Sequence, residues 1–217
     1  MFGTRRLVRQ VIRPAFLFCF VLGSIFGTIF VSTAPSALGF GNPRNGWPQA
    51  QLGDPVYLTY SYNNLLDGGL LQPSGEPLPA SVIRASVEDA FRVWSEVAPL
   101  HFTEVADEGG PVRTGEYPDG QFGQIRFSHR RINGPDPPTG NPTTKAVAWF
   151  PSTVGNRAAD IHFDNGDPWQ VVGTTREPDV LGAAIHEIGH ALGLTHSTLD
   201  DANMYWIFER HAGPGTG

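Results

Sequence analysis

Three histidines and one glutamate are concentrated in an eleven-residue segment near the end of the chain, HEIGHALGLTH, which runs from His186 to His196. The 217-residue chain has only seven histidines. His186 and His190 are four residues apart, which places both imidazoles on one face of a helix, where neutral rings can coordinate one ion at about 2.0–2.1 Å. From the composition of the chain, the spacing HExxHxxGxxH is expected by chance about once in 30,000 chains of this length. We therefore predict one zinc ion here.

The residues around that pair complete a site of the catalytic type. Gly193 is expected to end the helix, so that His196 can return toward the same ion as a third ligand. Three protein ligands leave a fourth position for water, which is typical of catalytic zinc sites. Glu187 points about 100° around the helix from His186, so it lies near the ion without having to coordinate it. An alternative third ligand is Glu209, but the break at Gly193 favours His196.

Two amphipathic helices are predicted from apolar residues at helical spacing. The first is expected to start at the N-cap Ser81 and to be stopped by Pro99. Its apolar stripe consists of Ile83, Val87, Ala90, Phe91, Trp94 and Val97. The second is expected to start at the N-cap Asp179 and to end at Gly193, with a stripe of Leu181, Ala184, Ile185, Ile188 and Leu192. His186, Glu187 and His190 lie away from that stripe.

Five short segments predict β-strands, because they alternate apolar and polar residues or are bounded by turn residues. They are Val56–Tyr62, LHFTEV at 100–105, GQIRFSH at 123–129, AVAWFP at 146–151 and ADIHFD at 159–164. The proline-rich segment at 130–145 predicts a long surface loop. Apart from one helix, the first two thirds of the chain is therefore predicted to be mainly sheet.

The first forty residues have the composition of an export signal. Four arginines precede an uncharged apolar run at 15–31, and the small-residue stretch STAPSALG follows. We predict a signal peptide over 1–39, an irregular lead-in over 40–54 and one domain over 55–217. Since a membrane-spanning helix needs about 20 apolar residues, an uncleaved N-terminal anchor is the alternative.

Charge and cysteine content limit the partners and the location of the domain. Without the signal, 11 basic and 21 acidic residues remain, which argues against nucleic acid as a partner. We expect a monomer that is secreted or extracytoplasmic and meets a membrane only through an uncleaved N-terminal segment. The only cysteine, Cys19, lies within the signal, so the domain has no disulfide.

Several segments together resemble the matrixins, the matrix-metalloproteinase branch of the metzincins, over roughly residues 54 to 206. These segments are, in order, LTYSYNN, VEDAFRVWSEVAPLHFTEV, IHFDNGDPW and HEIGHALGLTHS. Met204 lies eight residues past His196, at the interval of the family's Met-turn. The resemblance implies an α+β zincin-like fold: a twisted mixed sheet with a long packing helix and an active-site helix. It also implies that 55–217 is a matrixin-like catalytic domain.

The activity implied by this resemblance is that of a zinc metalloendopeptidase acting on protein or peptide substrates. His186, His190 and His196 would hold one zinc ion, and Glu187 would be the general base toward a zinc-activated water. Met204 would form a floor beneath the site, and AVAWFP would be the edge strand that pairs with an extended substrate.

Three departures from the family pattern qualify the resemblance. The lead-in has no cysteine that could block zinc, and of the family's structural-zinc ligands only His162 remains, while His129 is expected to be structural or exposed. Calcium at Asp164 and Asp167 is predicted as the alternative to a solvated Asp-Gly turn. Since the chain stops thirteen residues after Met204, with Trp206 where proline is usual, a non-catalytic zinc-holding interaction module is the alternative function.

Overall fold

A computed structural model describes the following residues of the chain: 46–49, 51, 53–109, 122–133, 144–153, 158–171, 179–199 and 202–205. The chain divides into two units, Met1–Ser36 and Ala37–Gly217, and every described residue belongs to the second. The predicted signal peptide, Trp206 and Glu209 lie outside the described residues. In the described ranges, no helix is both long enough and apolar enough to span a bilayer.

The described residues form one sheet and two helices. Their order is β1 (Val56–Tyr62), α1 (Ala80–Ser95), β2 (Leu100–Glu104), β3 (Ile125–Arg130), β4 (Ala146–Ala148), β5 (Asp160–Asp164) and α2 (Val180–Ala191). The strand order in the sheet is β2-β1-β3-β5-β4. All neighbouring strands are parallel except β4, which is an edge strand antiparallel to β5. This mixed sheet with two helices confirms the α+β fold class and the five predicted strands.

The burial of each strand follows from its place in the sheet. β3 and β5 are central, and most of their residues are buried, which is typical of strands covered on both faces. In β1 alternate residues face the core, where Tyr60 lies 4.6 Å from the ring of Phe91 on α1. Phe91 also packs on Phe102 of β2, at 4.2 Å between ring centroids. The aromatic residues of α1 are therefore packing residues, as predicted.

The bounds of α1 differ from the prediction at both ends. Its N-cap is Pro79, with no side-chain capping bond, rather than Ser81. At the other end the helix stops at Ser95, four residues before Pro99, and Val97 is 47% exposed instead of lying on the apolar stripe. The reason is that the chain bends toward β2 after Ser95, so the helical period no longer determines where the side chain of Val97 points.

Helix α2 starts as predicted but is buried more completely. The side chain of its N-cap Asp179 accepts a hydrogen bond from the backbone N–H of Gly182. The predicted apolar stripe is only partly correct, because three of its members are half-buried: Leu181, Ile185 and Leu192. Fully buried positions instead include the polar residues His186 and Glu187. These polar residues are buried because α2 packs against α1 as well as against the strands β4 and β5.

Replacing Asp179 by Ala should lower the free energy of unfolding by about 0.5–2 kcal/mol, because the first turn of α2 loses the acceptor for one of its free N–H groups. Urea unfolding of the purified protein measures this. Asp179→Asn is the matched control, since its amide oxygen can still accept the bond. If Asp179→Asn destabilises the protein as much as Asp179→Ala, the side-chain cap does not account for the loss.

Candidate metal centre

The three predicted ligand histidines meet at one point of the structure. His186 and His190 project from α2, and His196 follows the turn after the helix. Each offers one ring nitrogen, and these nitrogens all lie within 4.8 Å of one another. The Nε2 atoms of His190 and His196 are 3.1 Å apart, close to the roughly 3.3 Å between two nitrogens that share a tetrahedral zinc at 2.0–2.1 Å.

The return of His196 depends on how α2 ends. Gly193 has φ +101°, a left-handed conformation that residues with a Cβ rarely adopt. The backbone N–H of Leu194 donates to the carbonyl of Gly189 at 2.9 Å, and the N–H of Gly193 donates to that of His190 at 2.8 Å. These two bonds form a Schellman motif, which confirms Gly193 as the predicted end of the helix.

Two of the imidazoles are oriented by backbone carbonyls. Nδ1 of His186 donates to the carbonyl oxygen of Asn203, and Nδ1 of His190 donates to that of Leu194, both at 2.7 Å. A carbonyl can only accept, so the proton lies on Nδ1 and Nε2 is the unprotonated nitrogen, which is the form that can bind a metal. Burial lowers the pKa of His186 to about 4 and lowers the pKa of His190 and His196 as well. The rings are therefore neutral at pH 7, the form that binds metal.

Glu187 is a buried carboxyl group beside these histidines on α2. Its side chain is 2% exposed, and its Oε2 has no hydrogen-bond partner within the described part of the chain. Burial raises the pKa of Glu187 to about 8. A cation at the histidines would lower that pKa, since opposite charge favours the carboxylate. A buried acceptor without a protein partner is unfavourable for folding alone, which indicates a functional role.

Met204 lies beneath the helix as the resemblance implies. It is 2% exposed, and a Cβ added to Gly189 would lie 2.2 Å from its sulfur and 3.0 Å from the ring of Trp94. The N–H of Ser197 donates to the carbonyl of Met204 at 2.6 Å. The segment 202–205 is therefore tied both to α2 and to the chain that carries the third histidine.

The carbonyl groups that orient the rings were not foreseen from the sequence. Asn203 and Leu194 contribute backbone oxygens, and since every residue has one, no residue-type signal could have identified them. Phe150, just after β4, packs edge-on against His190 with 5.7 Å between ring centroids. This contact links the end of the edge strand β4 to the candidate metal centre.

Two described histidines outside this cluster, His129 and His162, have structural partners. His129 Nε2 is 2.8 Å from Asp67 Oδ1, and its Nδ1 is 3.0 Å from the amide nitrogen of Asn165. Nδ1 of His162 accepts from Arg130 Nε at 2.7 Å. Both are consistent with the predicted structural role. In the described ranges, the cluster of His186, His190 and His196 is the only group of three or more His, Cys, Asp or Glu side chains arranged to hold a metal.

The two acidic residues predicted to bind calcium lie at the two ends of the turn that follows β5, and both are buried. Asp164 accepts three backbone N–H groups through its two carboxylate oxygens, those of Ile132, Asn133 and Gly166. Asp167 Oδ1 lies 2.8 Å from the ammonium of Lys145, and both side chains are buried. Both carboxylates are therefore buried, while Asn165 and Gly166 between them are half-buried, and Lys145 places a cationic charge beside Asp167.

Comparison with known proteins relates this site to a peptidase family. Residues 70–214 match the family model described as Matrixin. Interstitial collagenase A of Mus musculus is 30% identical over 172 residues, which cover 79% of this chain and 30% of the collagenase. Matrix metalloproteinase-23 of Rattus norvegicus is 39% identical over 161 residues, or 70% of this chain and 38% of that protein. Matrix metalloproteinase-17 of Homo sapiens is 35% identical over 125 residues, or 57% and 19%.

The chain therefore spans between about a fifth and two fifths of the length of these relatives. The similarity covers the domain that contains the three histidines.

Replacing His196 by Ala should weaken zinc binding by at least about 100-fold, because loss of an outer partner alone weakens metal sites by 10–100-fold. Competition against a chromophoric chelator measures the affinity. His101→Ala is the control: this exposed histidine stacks on Tyr57 in the sheet, away from α2. Equal zinc affinity of the His196→Ala and His101→Ala proteins would contradict the assignment of His196.

Replacing Gly189 by Ala should destabilise the protein by about 1–3 kcal/mol, because the new methyl group overlaps the sulfur of Met204. Urea unfolding measures the loss. Combining the change with Met204→Ala removes the overlap, so the double variant should be more stable than the sum of the two single losses predicts. Strictly additive losses would mean that the two residues do not press on each other.

Proposed function

The chain belongs to the matrixin family, and on this basis we propose that it is a zinc-dependent endopeptidase that hydrolyses peptide bonds in proteins. One observation carries the proposal: three neutral imidazoles converge beside a buried carboxyl group that has no protein partner among the described residues. A site that only held a metal would not need that carboxyl group.

The donor set suits zinc. His186, His190 and His196 would hold one ion through nitrogen, and three nitrogen donors with an open fourth position are typical of catalytic zinc. When bound, zinc supplies a Lewis acid that polarises the scissile carbonyl and makes water acidic enough to attack near neutral pH. The carbonyls of Asn203 and Leu194 keep two of the rings in the metal-binding tautomer.

Glu187 is proposed as the general base and then the general acid. Its carboxylate would take a proton from the attacking water and deliver it to the nitrogen of the leaving peptide. A group that first accepts and then donates a proton works best when its pKa lies near the working pH. Burial raises the pKa of Glu187 and a neighbouring cation lowers it, so the two influences oppose each other.

The proposed substrate is an extended segment of a protein. The strand β4 pairs with β5 on one side only, among the described strands, so its other edge can accept a substrate strand through backbone hydrogen bonds. Phe150 connects this edge to His190. A substrate paired with β4 would therefore pass beside the histidines.

Export and calcium binding are retained as predictions from the sequence. Secretion or N-terminal anchoring stays a prediction, because residues 1–39 lie outside the described residues. Calcium at Asp164 and Asp167 also stays a prediction; in the structure Asp167 is paired with Lys145, and Asp164 accepts three backbone N–H groups. No feature of the described residues favours a zinc-holding interaction module over a peptidase.

Replacing Glu187 by Gln should leave about one zinc per chain but lower kcat/KM for cleavage of denatured casein by about 100- to 10,000-fold, the range that general acid–base catalysis provides. Zinc content by atomic emission and cleavage rates measure the two effects separately. Glu187→Ala should behave in the same way.

Glu88→Gln is the matched control, since Glu88 is exposed on α1 and away from the histidines. It should retain both zinc and cleavage. If the Glu187→Gln protein cuts casein as fast as the Glu88→Gln protein, the proposed mechanism is wrong. If the unaltered protein binds zinc yet cuts no unfolded protein, the proposed activity itself fails.

A further inference from the structure

A tryptophan of the predicted lead-in contacts the end of the helix that carries the ligands. The indole N–H of Trp47 donates to the backbone carbonyl of Ala191 at 2.9 Å, between residues 144 positions apart. Its ring is partly buried against the hydrophobic core. A Cβ added to Gly46 would lie 3.8 Å from the carbonyl oxygen of Leu192. The segment around Trp47 therefore lies against the C-terminal end of α2.

This contact completes the hydrogen bonding of the helix end. The last four carbonyls of an α-helix have no partner within the helix itself. Backbone N–H groups of the following turn satisfy three of them in α2, those of Ile188, Gly189 and His190. The fourth carbonyl belongs to Ala191, and its partner in the structure is Trp47. A residue from before the first strand thus caps the C-terminus of α2.

The capped carbonyl lies inside the ligand sequence. Ala191 directly follows the ligand His190 and precedes Gly193, where the chain reverses toward His196. The ring nitrogens of His186 and His190 are oriented by carbonyls. Nδ1 of His196 has no such partner among the described residues, and that side chain is exposed. The position of the third ligand therefore depends on the backbone of this turn.

We propose that Trp47 is a positioning residue for the metal centre: its indole N–H holds the C-terminal turn of α2 in the geometry that presents His196 to the ion. The inference rests on the proposed zinc function. It implies that the lead-in before β1 is a working part of the site, although its sequence predicts only irregular structure.

The variant Trp47→Phe, made in the full chain, tests the proposal. It keeps an aromatic ring at this position and removes the N–H donor. We expect zinc to dissociate about three- to tenfold faster, the effect of losing one neutral hydrogen bond. Release of zinc to an excess of chromophoric chelator gives the rate. The visible absorption of the Co²⁺-substituted protein should also change, because the third nitrogen ligand is held less well.

Trp169→Phe is the matched control. Its indole N–H donates to the carbonyl of Asp164 at 2.7 Å in a fully buried position that does not belong to α2. This change should lower Tm at least as much as Trp47→Phe does, yet leave zinc dissociation within about twofold of the unaltered protein. Unchanged dissociation in Trp47→Phe, or equal acceleration in Trp169→Phe, overturns the proposal.

A measurement on the unaltered protein keeps the proposal testable if Trp47→Phe does not fold. Hydrogen exchange of the ¹⁵N-labelled indole N–H groups can be followed by NMR with and without zinc. Zinc should slow the exchange at Trp47 but not at Trp169, and equal exchange at Trp47 in both forms overturns the inference. If the unaltered protein takes up no zinc, the proposed function fails and this inference fails with it, whereas zinc uptake without cleavage contradicts only the activity.

Discussion

The arrangement of the candidate site depends on where and how α2 ends. Two of the histidines lie on the helix and the third lies beyond it, so their separation is determined by the few residues of the turn. Gly193 makes that turn with a positive φ, which costs a residue with a Cβ roughly 1–2 kcal/mol. Other residues contact this end of the helix as well: Met204 packs against Gly189, and Trp47 donates a hydrogen bond to the carbonyl of Ala191. The positions of the other contacts in the site therefore depend on the C-terminal end of α2.

A second constraint is that polar groups are buried around the same helix. The histidine rings can be tolerated there because they are neutral and because backbone carbonyls accept their Nδ1–H groups. Glu187 differs from the histidines, because its buried Oε2 has no hydrogen-bond partner among the described residues. Small residues make room for this arrangement, as Gly189 does where Met204 packs against it. In His186 and His190, Nδ1 therefore forms the hydrogen bond that stabilises the buried ring, and Nε2 is the atom proposed to bind the metal.

The features that could be predicted from the sequence are those with a local pattern. Alternating residues located β1, the N-cap Asp179 marked the start of α2, and the spacing of the histidines brought three rings to one point. The sequence pattern predicts burial wrongly where packing between distant segments of the chain decides which side chains are exposed. Val97 is exposed because α1 has already ended, and Glu187 is buried because other elements cover its side of α2. The bond from Trp47 joins residues too far apart along the chain for any periodicity to indicate it.

The buried pair of Lys145 and Asp167 changes how the β5 turn responds to its surroundings. A free divalent ion stabilises a fold in proportion to the logarithm of its concentration, since the bound form must compete with empty protein. A lysine ammonium is covalently attached, so its local concentration stays the same however dilute the medium. At this turn, the pair of Lys145 and Asp167 therefore contributes a stabilisation that does not depend on the concentration of free ions in the environment.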